Sequence, residues 1–206
     1  MNKKAVLLAM VLVLTGLNVQ AEEAAAPSDA AAQPDAAMAA KMEEMKKLGA
    51  PGENYKALEA LVGKWKTSVK WWMSADGQPE VSEGTSDNQW ILGGRFVQET
   101  FKGTSMGQPF EGIGILGYDN IRAEYSALWL DNMATGIMVG AGQYDAATLT
   151  FSKTSTMSCP MTGEKNRTMR SVCKIVDKDH YTLEMFMNDK DGKEFKGMEI
   201  SYERAA

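Results

Sequence analysis

The sequence predicts an all-β protein: an antiparallel up-and-down β-barrel of about ten strands, preceded by short N-terminal helices. From Trp65 onward, apolar residues recur at every second position, as in a half-buried strand. Runs of this kind follow one another at roughly regular spacing, separated by turn residues and with no helical pattern between them. Consecutive hairpins favour a meander that closes on itself, because closure removes exposed strand edges.

The first residues predict export. Lys3 and Lys4 form a positive end, residues 5–14 are almost entirely apolar, and Val19 and Ala21 stand at the −3 and −1 positions of a cleavage site. We interpret residues 1–21 as a signal peptide that is removed from a periplasmic or secreted protein. The apolar run is about ten residues long, whereas a bilayer span needs roughly 20, so we expect no transmembrane anchor.

Residues 22–50 are expected to form an alanine-rich flexible leader that contains one short amphipathic helix. The first part of this leader has too little apolar surface to offset the entropy of ordering it. Apolar residues then recur at helical spacing before Gly49, namely Met38, Met42, Met45 and Leu48. A second short helix is expected over residues 55–61. The barrel domain would occupy residues 51–206.

Ten strands are expected in this domain, and turn residues such as Asp119-Asn120 and Gly163 separate them. Their expected ranges are 65–73, 81–92, 95–102, 110–118, 123–130, 135–144, 149–157, 167–176, 180–188 and 195–202.

The segment Gly112-Ile113-Gly114-Ile115-Leu116-Gly117 has the glycine spacing of a dinucleotide-binding fingerprint. That fingerprint works only when its last glycine opens a helix whose N–H groups bind the pyrophosphate. Here the last glycine is followed by a turn and another strand. We therefore interpret these glycines as strand residues that permit sharp coiling or the close approach of a neighbour.

Composition and residue types exclude several function classes. The formal net charge is −5 and the chain has no basic stripe, which argues against a nucleic-acid partner. His180, the only histidine, follows a turn and has no recognisable catalytic partner. No nucleophile motif, zinc cluster or cofactor fingerprint remains, so we expect a protein that is not an enzyme and has no resident cofactor.

Gly63-Lys64-Trp65 at the start of the first strand and Arg204 at the end of the last resemble the lipocalin-type (calycin) arrangement. In that arrangement an arginine covers the tryptophan of a Gly-x-Trp motif and seals the closed end of the barrel. The resemblance implies the same barrel-closing role for Gly63, Trp65 and Arg204 here.

A more specific resemblance is to a bacterial family catalogued as domain of unknown function 1579. It rests on the segments LEALVGKW (58–65), ILGGRF (91–96), FEGIGILGYD (110–119) and WLD (129–131). It covers about residues 55–204 and implies a lipocalin-like β-barrel. It brings no established activity and no catalytic residues.

Two cysteines, Cys159 and Cys173, would be in an oxidising compartment, where such a pair usually forms a disulfide. We expect the bridge to join two strands that pair through the Thr162-Gly163-Glu164 turn. It would stabilise the protein by about 3 kcal/mol. The alternative is a soft-metal (copper) site formed by Met157, Cys159 and Met161, since thiolate and thioether sulfurs are Cu(I) ligands.

Polar and aromatic residues on the central strands are candidates for orienting a molecule in the lumen. They are Trp71, Arg95, Glu99, Tyr118, Tyr125 and Trp129. Barrels of about ten strands are wide enough to keep an internal cavity. The leading hypothesis is therefore an exported module that binds a small, largely apolar molecule. The alternatives are a structural or protein-interaction domain of the cell envelope, docking through residues 38–48, and haem binding through His180. The sequence leaves the oligomeric state undefined.

Overall fold

The computed structural model describes residues 35–205 and contains a closed barrel of ten antiparallel strands. The expected signal peptide, residues 1–21, and the first part of the leader, residues 22–34, lie outside the described residues. The strands, numbered β1 to β10, are Gly63–Trp71, Glu80–Ile91, Phe96–Ser105, Gln108–Asp119, Glu124–Asp131, Met138–Asp145, Thr150–Met157, Arg167–Ile175, His180–Asn188 and Glu194–Arg204. The predicted fold class is confirmed.

Every strand pairs with its neighbours in sequence, and the first pairs with the last. In that closing pair, which we call the seam, Trp65 lies opposite Arg204 and Trp71 lies opposite Met198. The barrel is therefore a meander of hairpins joined at one seam. Tight turns with left-handed residues make these hairpins possible, as at Met106 and Gly107, whose φ angles are 49° and 72° between β3 and β4.

Two helices precede the barrel. The first, α1 (Ala36–Leu48), contains no buried residue, and Asp35 caps its N-terminus by accepting a hydrogen bond from the Met38 N–H. The second, α2 (Lys56–Glu59), follows a 3₁₀ turn at Glu53–Tyr55 and buries Leu58 completely. Among residues 35–205, no helix is both long enough and apolar enough to cross a bilayer.

The glycines of the fingerprint-like segment lie inside β4, with strand backbone on both sides. A Cβ atom at Gly112 would overlap the Trp129 indole, and one at Gly117 would overlap the Phe96 ring. These glycines therefore make room for aromatic rings that lie across them from the neighbouring strands. The interpretation as strand residues is confirmed.

The interior is divided along the barrel axis into layers of different chemistry. One end is apolar and includes Leu58, Leu61, Trp65 and Phe151. The opposite end holds the methionine cluster, which consists of buried Met169, Met185 and Met187 with Met138, Met157 and Met198 packed against them. Between the two ends lie buried polar side chains, including Ser86, Asn88, Ser155 and Ser171, all at most 6% exposed.

Candidate functional site

One end of the barrel is closed by an arginine stacked on a tryptophan. The Arg204 Cζ atom lies 4.1 Å from the centre of the Trp65 ring, and the guanidinium also donates to the Val62 carbonyl at 3.0 Å. Gly63 has a φ of 131°, and a Cβ there would overlap the guanidinium. The structure thus brings the three barrel-closing residues together as the resemblance implied.

Hydrogen bonds from the barrel wall hold the short helical segment against this end. The Trp65 indole N–H donates to the Leu61 carbonyl at 3.0 Å, and the Tyr125 hydroxyl donates to the Asn54 carbonyl at 2.7 Å. The Tyr55 hydroxyl in turn donates to the Tyr118 carbonyl at 2.7 Å. Leu58 and Leu61 are thereby fixed as a plug.

Above the plug the lumen contains a cavity of about 130 Å³. Its wall is mostly apolar but also carries the carboxyl group of Glu99 and the amine of Lys153. The apolar lining includes Leu61, Val97, Leu116, Ala127, Trp129, Met138, Phe151, Leu183 and Met185, and the polar lining includes Asn88, Ser155, Ser171, Cys173, Tyr181 and Tyr202.

Glu99 projects from β3 into this cavity and belongs to a hydrogen-bond network. Its Oε1 atom lies 2.8 Å from the Ser86 hydroxyl and 3.3 Å from the Tyr202 hydroxyl. The Asn88 amide donates to the Leu61 carbonyl at 2.8 Å and to Tyr181 at 3.1 Å, so its oxygen faces Ser86 at 2.6 Å.

This network has one hydrogen fewer than its contacts require. Ser86 carries a single hydroxyl hydrogen but has acceptors on both sides, Asn88 and Glu99. When Ser86 donates to Asn88, a proton on Glu99 completes the second contact. Burial acts in the same direction: it raises the pKa of Glu99, against the lowering effects of the Ser86 and Tyr202 hydrogen bonds and of the Lys153 charge.

Lys153 projects from β7 into the same cavity. In the part of the chain that the structure describes, its ammonium makes no hydrogen bond and no ion pair within 4.0 Å. Burial lowers the pKa of Lys153, while the nearby Cys173 and Glu99 raise it. The amine therefore faces the cavity and is free to donate to an occupant of it.

The six predicted lumen residues are placed differently from one another. Glu99 and Trp129 line the cavity, whereas Tyr125 and Tyr118 pack in the apolar layer at the plug, with ring centres 4.9 Å apart. Trp71 packs against the methionine cluster. Arg95 is an exposed residue of the β2–β3 turn and donates to the Gly49 carbonyl at 2.9 Å, so the prediction that it faces the lumen is wrong.

The expected disulfide is absent from the structure, in which Cys159 and Cys173 are both free and buried. Strand register explains this. Cys173 lies opposite Phe151, and Met157 lies opposite Arg167, so the hairpin is centred on Thr162 and places Cys159 far beyond Cys173 along the strands. The offset is about eight residues, or roughly 26 Å at strand spacing, whereas bridged Cα atoms are about 6 Å apart.

The two thiols have opposite chemical character. Burial and the Glu99 charge raise the pKa of Cys173 to about 11, against a lowering effect of Lys153. Burial also raises the pKa of Cys159, but hydrogen bonds from Thr162, Arg167 and the backbone outweigh it and bring the value to about 7. The Arg167 guanidinium lies 3.5 Å from the Cys159 sulfur.

We therefore expect iodoacetamide to modify Cys159 with a half-maximal rate near pH 7 and to leave Cys173 unmodified there, because the thiolate is the nucleophile. Peptide mass spectrometry across pH measures both rates. The Arg167→Gln variant should shift the Cys159 profile to higher pH, since it removes a donor to the thiolate. Equal modification of the two cysteines at pH 7 would contradict the assignment.

The residues proposed for a metal or haem are not assembled into a site. Met157 packs against the methionine cluster, Cys159 is held by Arg167, and Met161 is 61% exposed. His180 is exposed at the start of β9, and its Nδ1 lies 2.9 Å from Asp177. Within residues 35–205, no three His, Cys, Asp or Glu side chains are grouped so as to hold a metal ion.

Solved structures similar to this chain are β-barrels. Rv2717c from M. tuberculosis is 13% identical with a TM-score of 0.58, over 76% of this chain and 100% of that protein, a likeness that extends to the fold alone. A de novo designed fluorescence-activating β-barrel is 17% identical with a TM-score of 0.39, over 72% of this chain and 97% of the design. A redesigned β-barrel is 14% identical with a TM-score of 0.37, over 73% and 96%.

Among curated proteins, none matches this chain. The family model described as "Protein of unknown function (DUF1579)" matches residues 50–204, which is the whole barrel with its plug. The chain therefore belongs to the DUF1579 family.

Proposed function

We propose that this protein is an exported binding module that holds a small, largely apolar molecule in the lumen of its barrel. The observation that supports this most directly is the cavity of about 130 Å³ between the plug and the methionine cluster. A barrel whose only task were structural would gain stability by filling this space, because an unfilled cavity forfeits packing contacts.

The size of the cavity restricts the ligand. An apolar cavity of about 150 Å³ in another protein accommodates benzene, so about 130 Å³ suits a single ring with at most a small substituent. A haem or an extended fatty acid is much larger. The flexible thioethers at the far end provide an adaptable boundary for such a molecule, since methionine side chains can repack around it.

The proposal is tested by calorimetric titration of the protein with benzene and toluene. We expect saturable binding and a rise in the melting temperature, about 2.7 kcal/mol of stabilisation when the ligand is present at 100 times its Kd. The Ala127→Leu variant adds three carbon atoms inside the lumen and should abolish binding.

Ser126→Leu is the matched control, because Ser126 is the next residue of the same strand and points to the opposite face. It should bind as the unmodified protein does. Binding that persists in Ala127→Leu, or is lost in Ser126→Leu, would place the ligand outside the lumen and refute the proposal.

A second candidate function, protein interaction, has one observation in its favour. Helix α1 buries no side chain, and its exposed apolar residues include Met38, Met42 and Met45. Deleting residues 22–49 separates the two functions, because a binding barrel keeps its ligand without this segment. Mass spectrometry of the protein from its native compartment would show both the mature N-terminus and any co-purifying molecule.

A further inference from the structure

Lys153 and Glu99, on the lumen wall, each have hydrogen-bonding capacity that no described residue uses. Among the described residues, the Lys153 ammonium makes no hydrogen bond and has no carboxylate oxygen within 4.0 Å. Glu99 receives both of its hydrogen-bond contacts on Oε1, from Ser86 and Tyr202, which leaves Oε2 without a partner in the same part of the chain. The lumen therefore presents one free donor and one free acceptor.

These two groups are close enough to influence each other but do not touch. The Glu99 charge raises the pKa of Lys153, and the Lys153 charge lowers the pKa of Glu99. Their separation exceeds 4.0 Å, so they form no direct ion pair. A small polar group between them could hydrogen-bond to both. Each hydrogen bond would be about 2.9 Å long, so the bridge would span a gap too wide for a direct Lys153–Glu99 hydrogen bond.

The charge of the lumen selects among such groups. With Lys153 protonated and Glu99 ionised, or with both groups neutral, the pair as a whole carries no net charge. A charged ligand would leave one charge uncompensated in a water-poor interior, which is costly, whereas a neutral ligand would not. The ligand should thus be neutral overall while offering an acceptor to the amine and a donor to the carboxyl group.

From this arrangement we propose that the lumen is specific for a small ring compound carrying a neutral, amide-like group, whose oxygen accepts from Lys153 and whose N–H donates to Glu99 Oε2. This inference rests on the proposed function and specifies the head group of its ligand. It gives Lys153 and Glu99 the role of specificity-determining residues.

The test compares four probes of similar size by calorimetric titration at pH 7: benzamide, benzoate, benzylamine and toluene. In the unmodified protein, benzamide should bind about tenfold or more tightly than each of the others, the gain expected of two hydrogen bonds that satisfy buried polar groups. Glu99→Gln leaves the amine without its counter-charge, so preference should move to benzoate. Lys153→Met leaves only the carboxyl group, so preference should move to benzylamine.

The double variant Glu99→Gln/Lys153→Met is the control, because it removes both charges together and keeps the lumen neutral. It should bind toluene at least as well as the unmodified protein and lose the preference for benzamide. Circular dichroism and the melting temperature establish that each variant is folded.

Failure of this inference is distinguishable from failure of the proposed function. If toluene and benzamide bind equally, or if benzoate binds best to the unmodified protein, the head-group assignment is wrong while lumenal binding stands. If none of the four probes binds, both proposals are overturned.

Discussion

The Trp65→Ala variant is expected to lose about 3–5 kcal/mol of unfolding free energy, the usual cost of deleting a buried aromatic side chain. Trp65 is 1% exposed, stacks beneath Arg204, packs edge-on to Tyr181 and donates to the Leu61 carbonyl. Its removal would uncover the plug, the seam and the arginine at once. Urea denaturation measures the loss.

Two other variants separate the contributions to this effect. Trp65→Phe retains a ring but removes the indole N–H that donates to the Leu61 carbonyl. This variant should therefore lose about 1–2 kcal/mol of unfolding free energy. Trp72→Ala removes a partly exposed tryptophan just beyond the end of β1 and should cost under about 1 kcal/mol. A Trp65→Ala protein no less stable than Trp72→Ala would show that the stacked pair does not close the barrel.

The Gly142→Ala variant is expected to destabilise the protein by about 3 kcal/mol, at the upper end of the range for overpacking. A Cβ at this position would overlap the Ser152 carbonyl oxygen and lie 2.7 Å from the Lys153 Cα. Both obstacles are backbone atoms, so no side chain can rotate away. Strands β6 and β7 would have to separate beside Lys153, and the proposed binding in the lumen should weaken together with stability.

Gly136→Ala is the comparison, because a Cβ there would meet only Ser158 atoms at 3.6 Å and beyond, an ordinary contact distance. Its melting temperature should match that of the unmodified protein. Equal melting temperatures for the Gly142→Ala and Gly136→Ala variants would refute the close approach of β6 to β7.

The barrel could be predicted from sequence because its strands alternate and its turns use recognisable residues. Strand boundaries are harder to predict than strands. Alternation extends the third strand back to Arg95, but the left-handed residues Leu92, Gly93 and Gly94 keep Arg95 in the turn. The disulfide prediction is wrong because it used only the alternation of side chains, which places both cysteines on the same face of the hairpin. The strand register is needed to show how far apart they lie along the strands.

The most informative lumen residue, Lys153, could not be recognised in the same way. Alternation identifies the inward face of a strand by its apolar residues. The inward face of β7 consists of Phe151, Lys153 and Ser155, and its polar residues make it resemble an outward face. The available signal was parity with Phe151, which is fully buried. Glu99 was easier to find because it lies between Val97 and Phe101, which are 4% exposed. The proximity of the Lys153 amine to the Glu99 carboxyl group arises only when β3 and β7 face each other across the lumen. The local sequence pattern does not encode that arrangement.

The seam between β1 and β10 has a consequence for how the protein is made. Every other strand pair is a hairpin that can form as soon as its second strand has been synthesised, whereas β1 must wait for the last residues of the chain. Until then both edges of the growing sheet stay open to wrong partners. Because Tyr202 and Arg204 arrive with that final strand, assembly of the cavity and its sealing are one late event, and a chain cut short before Glu194 would have neither.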